Sequence, residues 1–204
     1  YLKFSIESSQ ISLSRDKKSI FITFNVNEGK KYTINNVNII GEIPFEENIY
    51  INILENLKKE TYSQAQITSI EEFFVDVLGN RGYAFAEVKG DTETIDDSNQ
   101  VDLTFAVIPG KKTYTRKILF TGNHVTQDEV LRREMRQFEG AWSSNNSIEA
   151  GKVRLERLGY FKEVNVETLP VVGTEDQIDI VYSVEEETTG SVGGNLGYSD
   201  FGLM

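Results

Sequence analysis

The sequence predicts an α+β fold built as a tandem repeat. Each unit runs β-α-α-β-β, with two helices packed on a three-stranded mixed sheet. Three observations carry this. Residues 20–26, 101–107 and 178–184 alternate between apolar and variable positions, at spacings of 81 and 77 residues. Further landmarks recur in the same order: Val37-x-Ile39-x-Gly41 returns as Ile118-x-Phe120-x-Gly122 after 81 residues, Tyr62-Ser63 as Trp142-Ser143 after 80, and Arg81-Gly82-Tyr83 as Leu158-Gly159-Tyr160 after 77. Between the landmarks lie helical apolar spacings. Self-similarity at such a period marks a repeat architecture.

In chain order, residues 1–30 supply only the last two strands of a first copy, with Asp16-Lys17-Lys18-Ser19 as the turn between them. Residues 31–110 form a complete copy. In it Ser63-x-x-Gln66 reads as a capping box, followed by Ile67, Ile70, Phe74 and Val77 at helical spacing, with Gly82 as the left-handed stop. Residues 111–186 form the next copy. There Thr126-x-x-Glu129 caps a helix carrying Val130, Leu131 and Met135. A second helix runs through Ile148, Gly151, Leu155 and Leu158 to Gly159. The drop from 81 to 77 places a short deletion inside that second helix. Each alternating segment has period two and is expected to be a strand with one buried face. Residues 187–204 break the pattern. Ser191-Val192-Gly193-Gly194-Asn195-Leu196-Gly197-Tyr198 suits either a Gly/Ser linker or a barrel strand with apolar residues facing lipid.

Composition excludes several function classes. Of 204 residues 39% are hydrophobic and 11% aromatic, enough for a packed core. A net charge of −11 argues against nucleic-acid binding, which needs clustered cations, and against docking on anionic lipid. With no Cys there is neither a disulfide frame nor a cysteine zinc site. The one His, His124, has no second ligand at a metal spacing and no catalytic partners, so it reads as a solvated loop residue. The acidic group Asp91, Glu93, Asp96 and Asp97 lacks the spacing and Gly of a calcium loop. No catalytic, cofactor or metal site is expected, and the chain is not read as an enzyme. It opens on Tyr1-Leu2-Lys3-Phe4 without an initiator Met, which reads as an internal fragment. No apolar run has the length of a membrane helix, so a soluble fragment is expected.

Three segments carry a family resemblance: Arg132-Arg133-Glu134-Met135-Arg136-Gln137-Phe138-Glu139-Gly140-Ala141-Trp142, then Leu158-Gly159-Tyr160-Phe161, then Thr189-Gly190-Ser191 with Asn195-Leu196-Gly197-Tyr198. With them the chain resembles the POTRA modules of outer-membrane β-barrel assembly proteins of Gram-negative bacteria. The resemblance implies the end of a third module, a fourth at 31–110 and a fifth at 111–186. It makes 187–204 a linker and the start of the first barrel strand. It further implies a binding arm at the periplasmic face of the outer membrane, carried by an integral outer-membrane barrel. That arm takes up a BamD-like lipoprotein, other assembly lipoproteins and unfolded outer-membrane clients. Loop residues 42–48 depart from the family, which leaves the fourth module's lipoproteins open.

By the same resemblance two kinds of site follow. The second strand of each module lies at a sheet edge and offers unpaired backbone groups to an extended client. The expected pairing residues are Phe4, Ser5 and Ile6, then Ala86, Glu87 and Val88, then Val164, Asn165 and Val166. Arg132, Arg133, Arg136 and Glu139, on or just after the first helix of the last copy, form the docking face for the BamD-like lipoprotein, with Arg132 and Arg136 on one helix face. The alternative is a POTRA module of a cell-division or two-partner-secretion protein, acting as an interaction scaffold.

Overall fold

The computed structural model describes residues 2, 3, 5–95 and 97–187. Phe4, Asp96 and all but the first residue of the expected linker and barrel-strand start at 187–204 lie outside the described residues. The chain divides into two compact units, one running to Tyr114 and including Trp142–Asn145, the other comprising 115–141 and the chain from Asn146 onward.

The first unit begins with an antiparallel pair, β1 (Ser5–Leu13) and β2 (Ile20–Asn27). The turn between them forms as expected. The Asp16 carboxylate accepts from the Ser14 hydroxyl and the Lys18 N–H, and Lys17 takes the left-handed conformation at φ 56°. The expected buried face does not form here. Ile20, Ile22, Phe24 and Val26 face Leu13, Ile11, Ser9 and Ile6 across the pair, and all four are exposed, as is Phe21. Alternation records that a face can be buried, and no helix among the described residues packs on this one.

The rest of this unit is β3 (Thr33–Gly41), a 3-10 turn (Glu47–Ile49), α1 (Ile51–Leu57), α2 (Gln64–Gly79), β4 (Glu87–Ile95) and β5 (Gln100–Ile108). The strand order is β3-β5-β4, with β3 parallel and β4 antiparallel to β5. Among the described residues only the last strand in sequence is paired on both sides, and Val101, Leu103, Phe105 and Val107 form its fully buried row. Against this row pack Ile34 and Val37 of β3, Leu54 and Leu57 of α1, and Ile67, Phe74 and Leu78 of α2. Ser63 is the N-cap of α2, but its side chain makes no capping bond. Gln66 donates to the Glu60 carboxylate at 2.7 Å instead, so the expected capping box is not closed.

The second unit repeats the plan with β6 (Tyr114–Thr121), α3 (Asp128–Glu134), α4 (Asn145–Glu156), β7 (Phe161–Pro170) and β8 (Gln177–Glu186), in the order β6-β8-β7. Ile178, Ile180, Tyr182 and Val184 are the buried row of β8. Burial pushes the Tyr182 phenol up, and its hydroxyl donates to the Ile148 carbonyl at 2.7 Å. Helix α4 has 12 residues against 16 in α2, a deficit equal to the drop in repeat spacing. Leu158 falls beyond the end of α4.

Two landmark glycines have one cause. Gly41 and Gly122 sit at φ 105° and 84°, and a Cβ on either would collide with the carbonyl oxygen of Val107 or Val184 on the central strand. A third landmark shifts by one. Thr61 bridges Thr33 as Trp142 bridges Tyr114, and Tyr62 N–H donates to Tyr32 as Ser143 N–H donates to Thr113. The structural partner of Trp142 is therefore Thr61, not Tyr62, because the backbone keeps a register that aromatic similarity obscures.

The buried and exposed strands give opposite expectations under urea denaturation followed by far-UV circular dichroism. Phe105→Ala should lower the stability of the first unit by about 3–5 kcal/mol. Phe24→Ala, at a half-exposed site, should cost less than about 1 kcal/mol.

Candidate functional site

A three-stranded sheet with its last strand in the centre has two edges, and they are not equivalent. The first strand of each module is closed by the loop before the second helix. Ile34 N–H donates to Glu60 O and Lys59 N–H to Ile34 O, each at 2.8 Å. In the second unit Thr115 N–H donates to Ala141 O at 2.9 Å, and Gly140 N–H to Thr115 O at 2.7 Å. Among the described residues the second strands, β4 and β7, pair only with β5 and β8. They are the edges where extended chain can add.

The expected pairing residues fall on or beside these edges. Glu87 and Val88 open β4, with Ala86 just before it. Val164, Asn165 and Val166 lie within β7. Ser5 and Ile6 begin β1, and Phe4 is outside the described residues. Side chains alternate along both strands. Val88 and Val164 are buried, while Glu87, Lys89, Asn165 and Glu167 are exposed. An incoming strand would thus meet backbone flanked by polar side chains.

The basic face is arranged differently from the expectation. Helix α3 ends at Glu134, and Met135 is extended at ψ 144°, so Arg136 has left the helix and shares no helical face with Arg132. Met135 is buried at 4% exposure, and Leu131, four residues earlier on the same side, is buried as well. The N-cap is Gln127 rather than Thr126, without a side-chain capping bond.

Arg132 and Glu139 do come together, and both grip β6. The Glu139 carboxylate accepts the Ile118 N–H at 2.8 Å and the Arg132 guanidinium at 3.1 Å. Arg132 also donates to the Ile118 carbonyl at 3.1 Å and lies over the Phe120 ring. The Ile118 N–H, seconded by Arg132, holds the Glu139 carboxyl below its usual range. The pair thereby extends the closure of the β6 edge beyond Thr115. Both side chains remain nearly half exposed, so a partner can still reach them. Arg133 instead lines a groove of about 890 Å³ with Val125, Val130, Tyr160 and Glu186.

One residue of this region was not singled out in the sequence. The Glu186 carboxylate, at the end of β8, accepts Thr126 N–H at 2.7 Å, Val125 N–H at 2.9 Å and His124 N–H at 3.0 Å. These donors lie about sixty residues upstream and no local pattern joins them to Glu186. Thr126, then Val125 and His124, pull the Glu186 pKa down to about 2. A carboxyl depressed in the folded state stabilises above its unfolded pKa and loses that contribution as pH falls through the folded value. The clamp should therefore hold at pH 5 and weaken from about 4.5 towards 2. Amide chemical shifts of Val125 and Thr126 should titrate with a midpoint well under 4.5, and Glu186→Gln should abolish that titration.

The POTRA family, described as surface antigen variable number repeat, matches residues 32–110 and 113–187. The outer membrane protein assembly factor BamA of Buchnera aphidicola is 33% identical over 97% of this chain and 32% of its own length. BamA of Neisseria meningitidis serogroup B is 32% identical over the whole chain and 26% of its own length. The chain thus spans about a third or less of these relatives. The crystal structure of Haemophilus influenzae BamA POTRA3-5 superposes with a TM-score of 0.81 at 33% identity, covering 91% of this chain and 74% of that one. The repeated β-α-α-β-β plan, with its last strand central and its second strand at the edge, together with these matches, means that the chain belongs to the POTRA family.

Proposed function

We propose that this chain is the periplasmic arm of an outer-membrane β-barrel assembly factor. Residues 1–30 are the end of a third module, 31–110 the fourth, 111–186 the fifth, and 187–204 lead into the barrel. The arm is a non-enzymatic scaffold at the periplasmic face of the outer membrane. It binds accessory lipoproteins and guides unfolded barrel clients to the membrane barrel by edge-strand pairing. The observation that carries this reading is similarity to outer-membrane assembly factors along nearly the whole chain. The open edges of β4 and β7 support the pairing step, because backbone addition reads little sequence and suits many clients.

For lipoprotein docking the face is Arg132, Arg133, Arg136 and Glu139, and a BamD-like lipoprotein is the partner. Arg133 and Arg136 separate docking from local structure, because the bonds holding Ile118 come from Arg132 and Glu139. Arg133→Glu or Arg136→Glu should weaken binding to the soluble lipoprotein domain about tenfold, with an unchanged unfolding curve. Glu139→Lys should weaken binding and also lower stability. Unchanged affinity in all three variants would sink the docking face. For the edge, Val164→Pro should cut crosslinking of an unfolded client to β7 several-fold while circular dichroism stays the same. Full crosslinking in a folded Val164→Pro protein would remove strand pairing there.

A further inference from the structure

The two open edges differ at one position, and the difference decides which of them is available. In β4 the N–H of Gly90 donates to the Glu71 carboxylate of α2 at 2.6 Å. An N–H directed there points away from β5. Val88 and Thr92 lie two residues to either side, so they turn their backbone groups the same way. These are the groups an added strand would engage, and the Glu71 oxygen stands where that strand's carbonyl would bind Gly90.

Glycine permits the approach. A Cβ at Gly90 would press on Ile67 and Glu71. In the second unit β7 has the same register: Val166 faces Tyr182 as Gly90 faces Phe105. Its N–H therefore also faces the open side. Position 166 carries a valine, however, and the α4 residue that corresponds to Glu71 at the 81-residue shift is Lys152. An ammonium has donors and no acceptor, so it cannot hold an N–H. Lys152 pairs with Glu149 at 3.9 Å instead.

We infer that Glu71 is a built-in plug on the β4 edge, and that an extended, unfolded polypeptide segment adds to β7 in preference to β4. This rests on the edge-pairing reading and sharpens it: pairing at β4 requires the carboxylate to leave Gly90, and pairing at β7 requires no such exchange. An ionised acceptor makes a stronger bond than the neutral carbonyl that would replace it, so displacement is disfavoured.

The test uses Glu71→Leu, which removes the acceptor, and Glu71→Gln, which keeps one. Residue-resolved amide exchange reads the plug directly. Gly90 should exchange about tenfold faster in Glu71→Leu than in the native chain, with Glu71→Gln between them. Pairing is read with a photoreactive side chain at position 89 or 165 and a peptide of about ten residues alternating Val or Tyr with Thr. The native chain should crosslink from position 165 and weakly from 89. Glu71→Leu should raise the yield at 89 several-fold and leave 165 unchanged. Unchanged Gly90 exchange overturns the plug. Faster exchange with unchanged yield at 89, while 165 still crosslinks, overturns its gating role and leaves edge pairing standing. No crosslinking from either position in any variant overturns edge pairing, and the gate with it.

Discussion

Everything in each module hangs on the last strand lying at the centre of the sheet. β5 and β8 are paired on both sides, and their apolar rows are almost completely buried. A central strand that arrives last sends the two earlier strands to the margins. In the first unit the first strand runs parallel to it, which requires a crossover, and the two helices lie in that crossover. The helices then cover the face where Phe105 or Tyr182 points, and the second strand closes the sheet as an antiparallel hairpin. Open edge, helical layer and core are thus consequences of one strand order.

A sheet so small has as much edge as interior, and unpaired edges invite association. The structure handles its edges unequally. Backbone closes the first strands, through the loops at 59–62 and 140–143. Carboxylates do finer work: Glu139 takes Ile118 N–H, Glu71 takes Gly90 N–H, and Glu186 takes three N–H groups of the loop after β6. Each is a charged acceptor satisfying backbone that regular pairing leaves over. A net charge of −11 is often read only as solubility, yet three of these acids act as structural hydrogen-bond acceptors.

Much of the fold was legible because its signals are local. The alternation of residues 101–107 and 178–184 became the central strands, the helix deletion matched the change in spacing, and Gly41 and Gly122 marked a close approach to the central strand. Local signals also misled where a contact outside the motif replaced them. Gln66 chose Glu60 over the capping box. Thr126 gave its N–H to Glu186, and the cap moved to Gln127. Helix α3 ended at Glu134, which took Arg136 off the face expected for it. In both caps a carboxylate outside the motif took the hydrogen bond the motif would have made.

The sequence by itself determined the repeat, its strand and helix content, and the core positions of its two complete copies, because periodicity and glycine spacing are properties of neighbouring residues. Family membership was also legible, since the Arg132–Trp142 run is long and distinctive. Only the tertiary structure decided which side chains take up the backbone groups left over at the edges and loops. Glu71 and Gly90 are 19 residues apart, and Glu186 and Thr126 are 60. Such pairs are made when strands are ordered into a sheet, and nothing in the intervening sequence records them.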